Sequence, residues 1–369
     1  MFDYRWRYFD FYMFATTAIL MGFGVVAVWS AAGAEAPTLL NPGVKQAMFG
    51  AIGVVLMLVI ANTDYRFIGA LAWPAYFGSL LVLMAVKVFG VEIAGSRRWF
   101  DFGFATIQPS EFGKITTAVT LAWFISSRGE RMKEFGNFVV SMMIVGLPAA
   151  LVFLEPDLGS TMVYLSTWLG MMIVARTRVI YLVGLFLAAI PTVYIAWSRV
   201  FEDYQRERFD SFLNPEKHMT GEAFNLIQSR IAVGSSGWFG HGIHGGSQST
   251  EDFLKVKTTD FIFSHVSSMF GFVGMVALLL LFGVLLWRFI RVIEVSKDSF
   301  GQCLAAAVFM MVFFQTFVNI GMNIGILPVT GITLPFISQG LSSVWMLLIA
   351  EGLLQSILMR HRKLAFQPD

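Results

Sequence analysis

The sequence predicts an all-α polytopic membrane protein with about ten transmembrane helices and one large extracytoplasmic loop, and three observations carry that prediction. The mean hydropathy is +0.69. Hydrophobic residues are 56% of the chain and charged residues 14%, which leaves too little polar surface to solvate a soluble globule. The charges are also gathered. Residues 199–260 hold seven Lys/Arg and nine Asp/Glu, close to a third of all charged side chains.

A hydrocarbon core about 30 Å thick takes about 20 apolar residues at helical rise. On that ruler ten apolar runs lie near residues 11–33, 45–61, 66–88, 107–127, 137–154, 158–175, 179–198, 261–290, 300–323 and 338–359. The second, fifth and sixth are short. An even number places both termini on one side. Fourteen Lys/Arg lie at one set of span ends, against four at the other (Lys45, Lys87, Arg97 and Arg98), with the long loop set aside. The positive-inside rule then puts both termini in the cytoplasm and residues 199–260 outside the membrane. The charged, aromatic residues 1–10 precede an apolar run without a clean cleavage site, so that run is retained as a span. No internal repeat or low-complexity tract divides the chain, and residues 1–369 read as a single integral membrane domain with 199–260 as its large loop.

The formal net charge of +2, with basic residues scattered among apolar runs, gives no footprint for nucleic acid. Cys303 is the only cysteine, which excludes an intramolecular disulfide and a thiolate metal cluster.

Ionisable side chains within spans are costly and mark packing or function. Glu111 and Lys114, spaced i, i+3, share one helical face as an ion pair that either fixes helix packing or serves a site. Gln315, Asn319 and Asn323 form a polar stripe at i, i+4, i+8, suited to interhelical hydrogen bonds or to a hydrated cavity. Glu351 is similarly ambiguous. At the outer edge stand Gly95-Ser-Arg-Arg-Trp-Phe-Asp101, Glu155-Pro-Asp-Leu-Gly-Ser160 and the stretch 326–338. Arg97 and Arg98 beside Trp99 suit an anionic, ring-bearing ligand, or else a snorkelling interfacial anchor. Gly240-His-Gly-Ile-His-Gly245 matches a dinucleotide fingerprint only literally, since no strand precedes it. His241 and His244 lack an evident third metal ligand.

Asp260 lies where the charged loop meets an apolar run, beside Phe261 and Phe263 and after Lys255 and Lys257. Desolvation would raise its pKa and the lysines would lower it, a tunable base for proton abstraction. Helix capping by Thr258, Thr259 or Asp260 is the other reading.

Several motifs together resemble the SEDS family (shape, elongation, division and sporulation), the RodA/FtsW polymerases of bacterial peptidoglycan. They are Gly95-Ser-Arg-Arg-Trp99, Gln108-Pro-Ser-Glu-Phe-Gly-Lys114, Glu155-Pro-Asp-Leu-Gly-Ser160, Asn225-Leu-Ile-Gln-Ser229, Thr259-Asp-Phe-Ile-Phe263 and the stretch 319–338, in family order. Phe212-Leu-Asn-Pro-Glu216 and Gly246-Ser-Gln-Ser249 look more like the elongation member, RodA, than the division member. Two stretches depart: His265-Val-Ser-Ser-Met-Phe-Gly271 where Glu-Glu-Leu-Gly is common, and Ser338-Gln-Gly-Leu-Ser-Ser343 where Tyr-Gly-Gly is usual.

The resemblance implies a glycosyltransferase that polymerises lipid II at the outer face of the membrane, among membrane lipids and alongside a class B penicillin-binding protein. It places the family's essential aspartate on Asp260, as base for an inverting displacement in which undecaprenyl diphosphate leaves. Arg97, Arg98, Lys255 and Lys257 are then the candidates for the diphosphate, Trp99 and Asp157 shape the site, and Glu111 with Lys114 holds the fourth span. No cofactor is evident. Mg²⁺ or Mn²⁺ suits a diphosphate, but no ligand set is legible. Two rivals stand beside this reading: a flippase for a lipid-linked precursor, with its essential polar groups at midplane, and a non-catalytic scaffold for the partner enzyme.

Overall fold

The computed structural model describes residues 4–33, 41–93, 96–199, 206, 210–214, 222–243 and 258–361. Each apolar run is helical: α1 Phe11–Ala31, α2 Pro42–Asn62, α3 Tyr65–Ala70 with α4 Ala72–Phe89, α5 Pro109–Arg128, α6 Phe135–Phe153, α7 Leu158–Val174 and α8 Val179–Arg199. After α9, Glu222–Gly234, come α10 Ile262–Val295, α11 Ser299–Asn323 and α12 Leu341–Arg360. Among the described residues, seven helices (α1, α2, α4, α6, α10, α11 and α12) are long and apolar enough to cross a membrane. The 17-residue α7 and the apolar stretch of α8 are shorter, and α5 carries Glu111 and Lys114 in its first turns. The protein is an all-α polytopic membrane protein.

Two details differ from the apolar pattern, each for a backbone reason. The third run breaks at Leu71, whose φ of −91° and ψ of 6° end α3 and start α4. Pro74 follows, and a proline ring tolerates only the first turn of a helix. The polar stretch after α4 is a small antiparallel sheet of β1 Val91–Ile93, β2 Ser96–Asp101 and β3 Thr106–Ile107. Glu92 pairs with Arg97 across β1 and β2, and Phe100 with Ile107 across β2 and β3.

The helices at the centre are recognisable by how much of their length is buried. The apolar window of α12 is 83% buried and that of α11 67%, against 22% for α4 at the periphery. Polar groups fasten the end of the bundle where α1 begins. Asp10 caps α1 by accepting from Met13 N at 3.1 Å and pairs with Arg288 of α10 at 2.5 Å. Its backbone exchanges two hydrogen bonds with the Gln355 amide of α12.

At about 1.5 Å per residue the 34 residues of α10 would measure about 51 Å, well beyond the hydrocarbon thickness. The helix is broken at Gly271, with φ 65° and ψ −162°. A break exposes backbone groups that lipid cannot satisfy. The segment before the break supplies the partners. Ser268 O and Met269 O accept from His241 N and Gly242 N at 2.9 and 3.0 Å, while Phe272 N and Val273 N donate to Gly237 O and Trp238 O at 2.9 and 3.1 Å. The glycines at 240 and 242 thus serve a backbone-to-backbone contact. A Cβ on Gly271 would stand 2.3 Å from Gly240 N. Gly271→Ala therefore combines a positive φ with a clash that backbone cannot relieve, and should lower stability by about 2 kcal/mol or more. Thermal unfolding in detergent checks this; an unchanged midpoint would show that the contact between 237–242 and the break at Gly271 does not support the fold.

Candidate active site

Four helices begin around one cavity of about 780 Å³: the starts of α2, α5, α7 and α12 contribute to its wall, together with β2, the turn at 259–260 that leads into α10 and the segment 330–333. Helix N-termini carry partial positive charge and free N–H groups. The Asn41 and Asp157 side chains cap α2 and α7, whereas α5 and α12 start without a side-chain cap. Ser342 Oγ accepts from Gln108 N at 2.9 Å and joins those two uncapped ends. Such a wall favours an anion.

Asp260 lines this cavity. A Cβ placed on Gly331 would lie 3.7 Å from Asp260 Oδ2, so the carboxylate rests against a residue without a side chain. The turn that presents it is pinned carbonyl by carbonyl. Gln339 N donates to Thr258 O at 2.9 Å and Ser338 Oγ to Thr259 O at 2.7 Å. The Asn319 and Asn323 amides both donate to Asp260 O at 3.0 Å. Asn319 also donates to Ile332 O at 2.7 Å, and Asn323 Oδ1 accepts from Ser264 N and Ser264 Oγ at 3.2 and 2.5 Å. Ser229 of α9 donates to Asn323 O at 2.7 Å, tying that helix to the same network. Both asparagines are fully buried. Hence Asn319 and Asn323 stand behind the site and hold its backbone, while Gln315, one turn away, lines the cavity with a buried Oε1 that has no partner.

The two arginines of β2 part company. Arg98 turns inward: Nε donates to Glu155 O at 2.6 Å, Nη2 to Pro156 O at 2.5 Å and to Ser96 Oγ at 3.1 Å, and Nη1 lies 3.8 Å from Asp157 Oδ2. Its guanidinium sits 5.8 Å from the Trp99 ring centroid, and both residues line the cavity. Arg97 is not brought there. It is exposed and pairs with Glu92 at 3.4 Å. Asp157 lines the cavity, caps α7 through Ser160 N at 2.9 Å and accepts from Gln108 Nε2 at 3.2 Å.

Glu111 and Lys114 form a buried ion pair of 2.7 Å on the cavity wall, where Glu111 Oε2 has no hydrogen-bond partner. Arg98 and Lys114 are thus committed to protein acceptors. Lys45, which sequence reading treated only as a loop charge, lines the same cavity with no ion pair among the described residues. Its neighbour Gln46 donates to Ile337 O at 3.0 Å and leaves Oε1 buried and unpaired. A Lys-Gln pair just after an Asn-Pro helix start was the available signal. Lys255, Lys257 and His244 lie outside the described residues. Among the described residues, no group of three His, Cys, Asp or Glu comes together to hold a metal. Glu351 is buried in α12 and does not line the cavity. His265, at the first departure, is buried with Nε2 3.0 Å from Ser30 Oγ of α1.

The sequence matches the family described as "Cell cycle protein", the FtsW/RodA/SpoVE proteins, over residues 11–363. The chain belongs to this family. It is 36% identical over 356 residues to stage V sporulation protein E of Bacillus subtilis (strain 168), covering 94% of this chain and 96% of that protein. It is 33% identical over 349 residues to peptidoglycan glycosyltransferase MrdB of Escherichia coli (strain K12), covering 94% and 92%. A chain from a solved structure titled for the coordination of polymerization and crosslinking by a peptidoglycan synthase complex superposes with a TM-score of 0.81. It shares 30% identity and covers 96% of this chain and 98% of that one. The motifs on the cavity wall and the turn at Asp260 are therefore this chain's version of a SEDS protein.

Proposed function

We propose that the chain is a peptidoglycan glycosyltransferase whose cavity takes a lipid-linked diphosphate disaccharide, lipid II, and extends glycan strands at the outer face of the bacterial inner membrane during elongation. The observation that carries this reading is one wall bearing a carboxylate, Asp260, and a cation, Lys45, that has no ion pair among the described residues, where four helix starts converge. Both termini are cytoplasmic in this reading, and the 199–260 loop is outside.

Asp260 takes the proton from the acceptor hydroxyl, which attacks the anomeric carbon of the donor as the diphosphate leaves. A departing diphosphate needs its charge neutralised more than it needs a proton, so one base with cations suffices. Lys45 and the uncapped starts of α5 and α12 supply that charge. Arg98 acts through Asp157 and the 155–156 carbonyls, shaping the wall, and Glu111 with Lys114 braces it. Mg²⁺ or Mn²⁺ would add positive charge at the diphosphate. Because Asn319 and Asn323 are occupied by loop carbonyls, the polar stripe supports a fixed site more than a transport path. A class B penicillin-binding protein is the proposed partner, on the strength of the synthase-complex likeness.

Asp260→Asn keeps the shape of the turn and removes the base, and should lower glycan synthesis from purified lipid II by about 10²–10⁴-fold with lipid II binding retained. Wild-type-like polymer from this variant would favour the scaffold or flippase readings. Titrating a transpeptidase-inactive partner into the same assay shows whether it raises the rate or merely co-localises.

Lys45→Ala should raise KM for lipid II more than it lowers kcat, while Arg97→Ala leaves both within about twofold, as expected for an exposed ion pair. Equal effects of the two would return the diphosphate to β2.

Orientation is checked with cysteines at 97 and 133 in a Cys303→Ser background. An impermeant maleimide applied to intact cells should label position 97 and spare 133; the reverse pattern would invert the topology.

A further inference from the structure

The connection between α6 and α7 buries an acid that the proposed chemistry does not use. Glu155 is 2% exposed, and neither carboxyl oxygen has a hydrogen-bond partner. Its backbone is in the opposite condition. One guanidinium, that of Arg98, holds Glu155 O, Pro156 O and the Asp157 carboxylate. Three consecutive residues, of which Pro156 and Asp157 line the cavity, thus depend on where Arg98 spreads its donors.

The charged and titratable groups around Glu155 are Asp157 and Tyr164 of α7, Arg98 of β2 and Lys87 of α4. Burial first, and then the negative charge of Asp157, push the Glu155 carboxyl up to about 8, against the pull of Arg98 and Lys87. At neutral pH the group is mostly an uncharged acid. An ionised carboxylate is a stronger acceptor for guanidinium than a carbonyl oxygen, so a charged Glu155 would compete for the donors that now hold the wall.

Building on the reading of this cavity as the active site, we propose that Glu155 is a positioning residue that works in its neutral form. Uncharged, it leaves Arg98 to the loop carbonyls and Asp157. Ionised, it draws Arg98 away and loosens the start of α7, including the Asp157 bonds to Ser160 N and Gln108 Nε2.

The sign of the pH dependence follows from an acid whose folded pKa lies above its unfolded value. Its contribution to stability is complete below the unfolded value of about 4.5 and is lost progressively as pH rises to about 8. One unit above the folded value about a tenth of the group remains protonated, so activity should fall about tenfold between pH 7 and 9 through this group.

The test uses the full chain and Glu155→Gln, which keeps the shape and cannot ionise. Glycan synthesis from lipid II and the thermal midpoint without substrate are each followed from about pH 5 to 9. The expected result is an alkaline fall in wild-type activity that the Gln variant lacks, and a wild-type midpoint that declines relative to the variant from about pH 5 to 8. Superimposable wild-type and variant curves in both measurements would overturn the proposal. The midpoint needs no chemistry: absence of polymer from either protein would count against the proposed function, while coincident unfolding curves would still overturn a neutral Glu155. Should Glu155→Gln fail to fold, Glu155→Met, neutral and of similar length, takes its place with the same two outcomes.

Discussion

The carbonyl of Asp260 accepts from two buried carboxamides, and much of the structure is arranged to make that possible. Asn319 and Asn323 lie one turn apart on α11, where both are fully buried. A carboxamide buried without partners would cost several kcal/mol, so the stripe requires a polar backbone to come to it. The turn at 258–260 meets that requirement, and in return its three carbonyls are fixed by donors from α11 and from Ser338 and Gln339. A side chain on such a turn inherits the rigidity of the helix behind it, which is what a base must have to meet a hydroxyl at a fixed distance.

The cavity in front of that turn has the opposite character. Among the described residues, its wall keeps buried acceptors unpaired at Gln46, Glu111 and Gln315, and a lysine without an ion pair. Buried polar atoms are ordinarily satisfied, and the three exceptions on this wall suit a ligand rich in hydroxyl and amide donors with an anionic group. Satisfied polarity behind the turn and unsatisfied polarity before it separate the framework from the site.

Much of the fold was legible because a hydrocarbon slab imposes length. Ten apolar runs became helices with ends displaced by a few residues, and the break before Pro74 is the sort of detail that hydropathy averages away. The sheet was missed because five or six polar residues between spans carry no usable period. That omission hid the different fates of Arg97 and Arg98, which as strand neighbours face apart. Asp260, Asp157, Glu111 and Gln315 were legible as polar residues at costly positions. Lys45 was not, since a lysine at a span end reads as orientation, and the burial of Glu155 depends on Arg98 arriving from a strand 57 residues earlier.

The low apolarity of α5 also bears on how the protein is made. A charged residue at the centre of a span costs about 2.5–3.5 kcal/mol on insertion scales. Glu111 and Lys114 lie in the first turns and neutralise one another, but only once both are side by side in a formed helix. A nascent α5 therefore gains little from lipid alone and depends on α4, to which it is joined through the small sheet, to carry it into the bilayer as a helical hairpin. By the order of synthesis, the wall that holds Arg98, Glu111 and Lys114 is in place before α10 leaves the ribosome. The segment bearing Asp260 is then delivered to a cavity already half built.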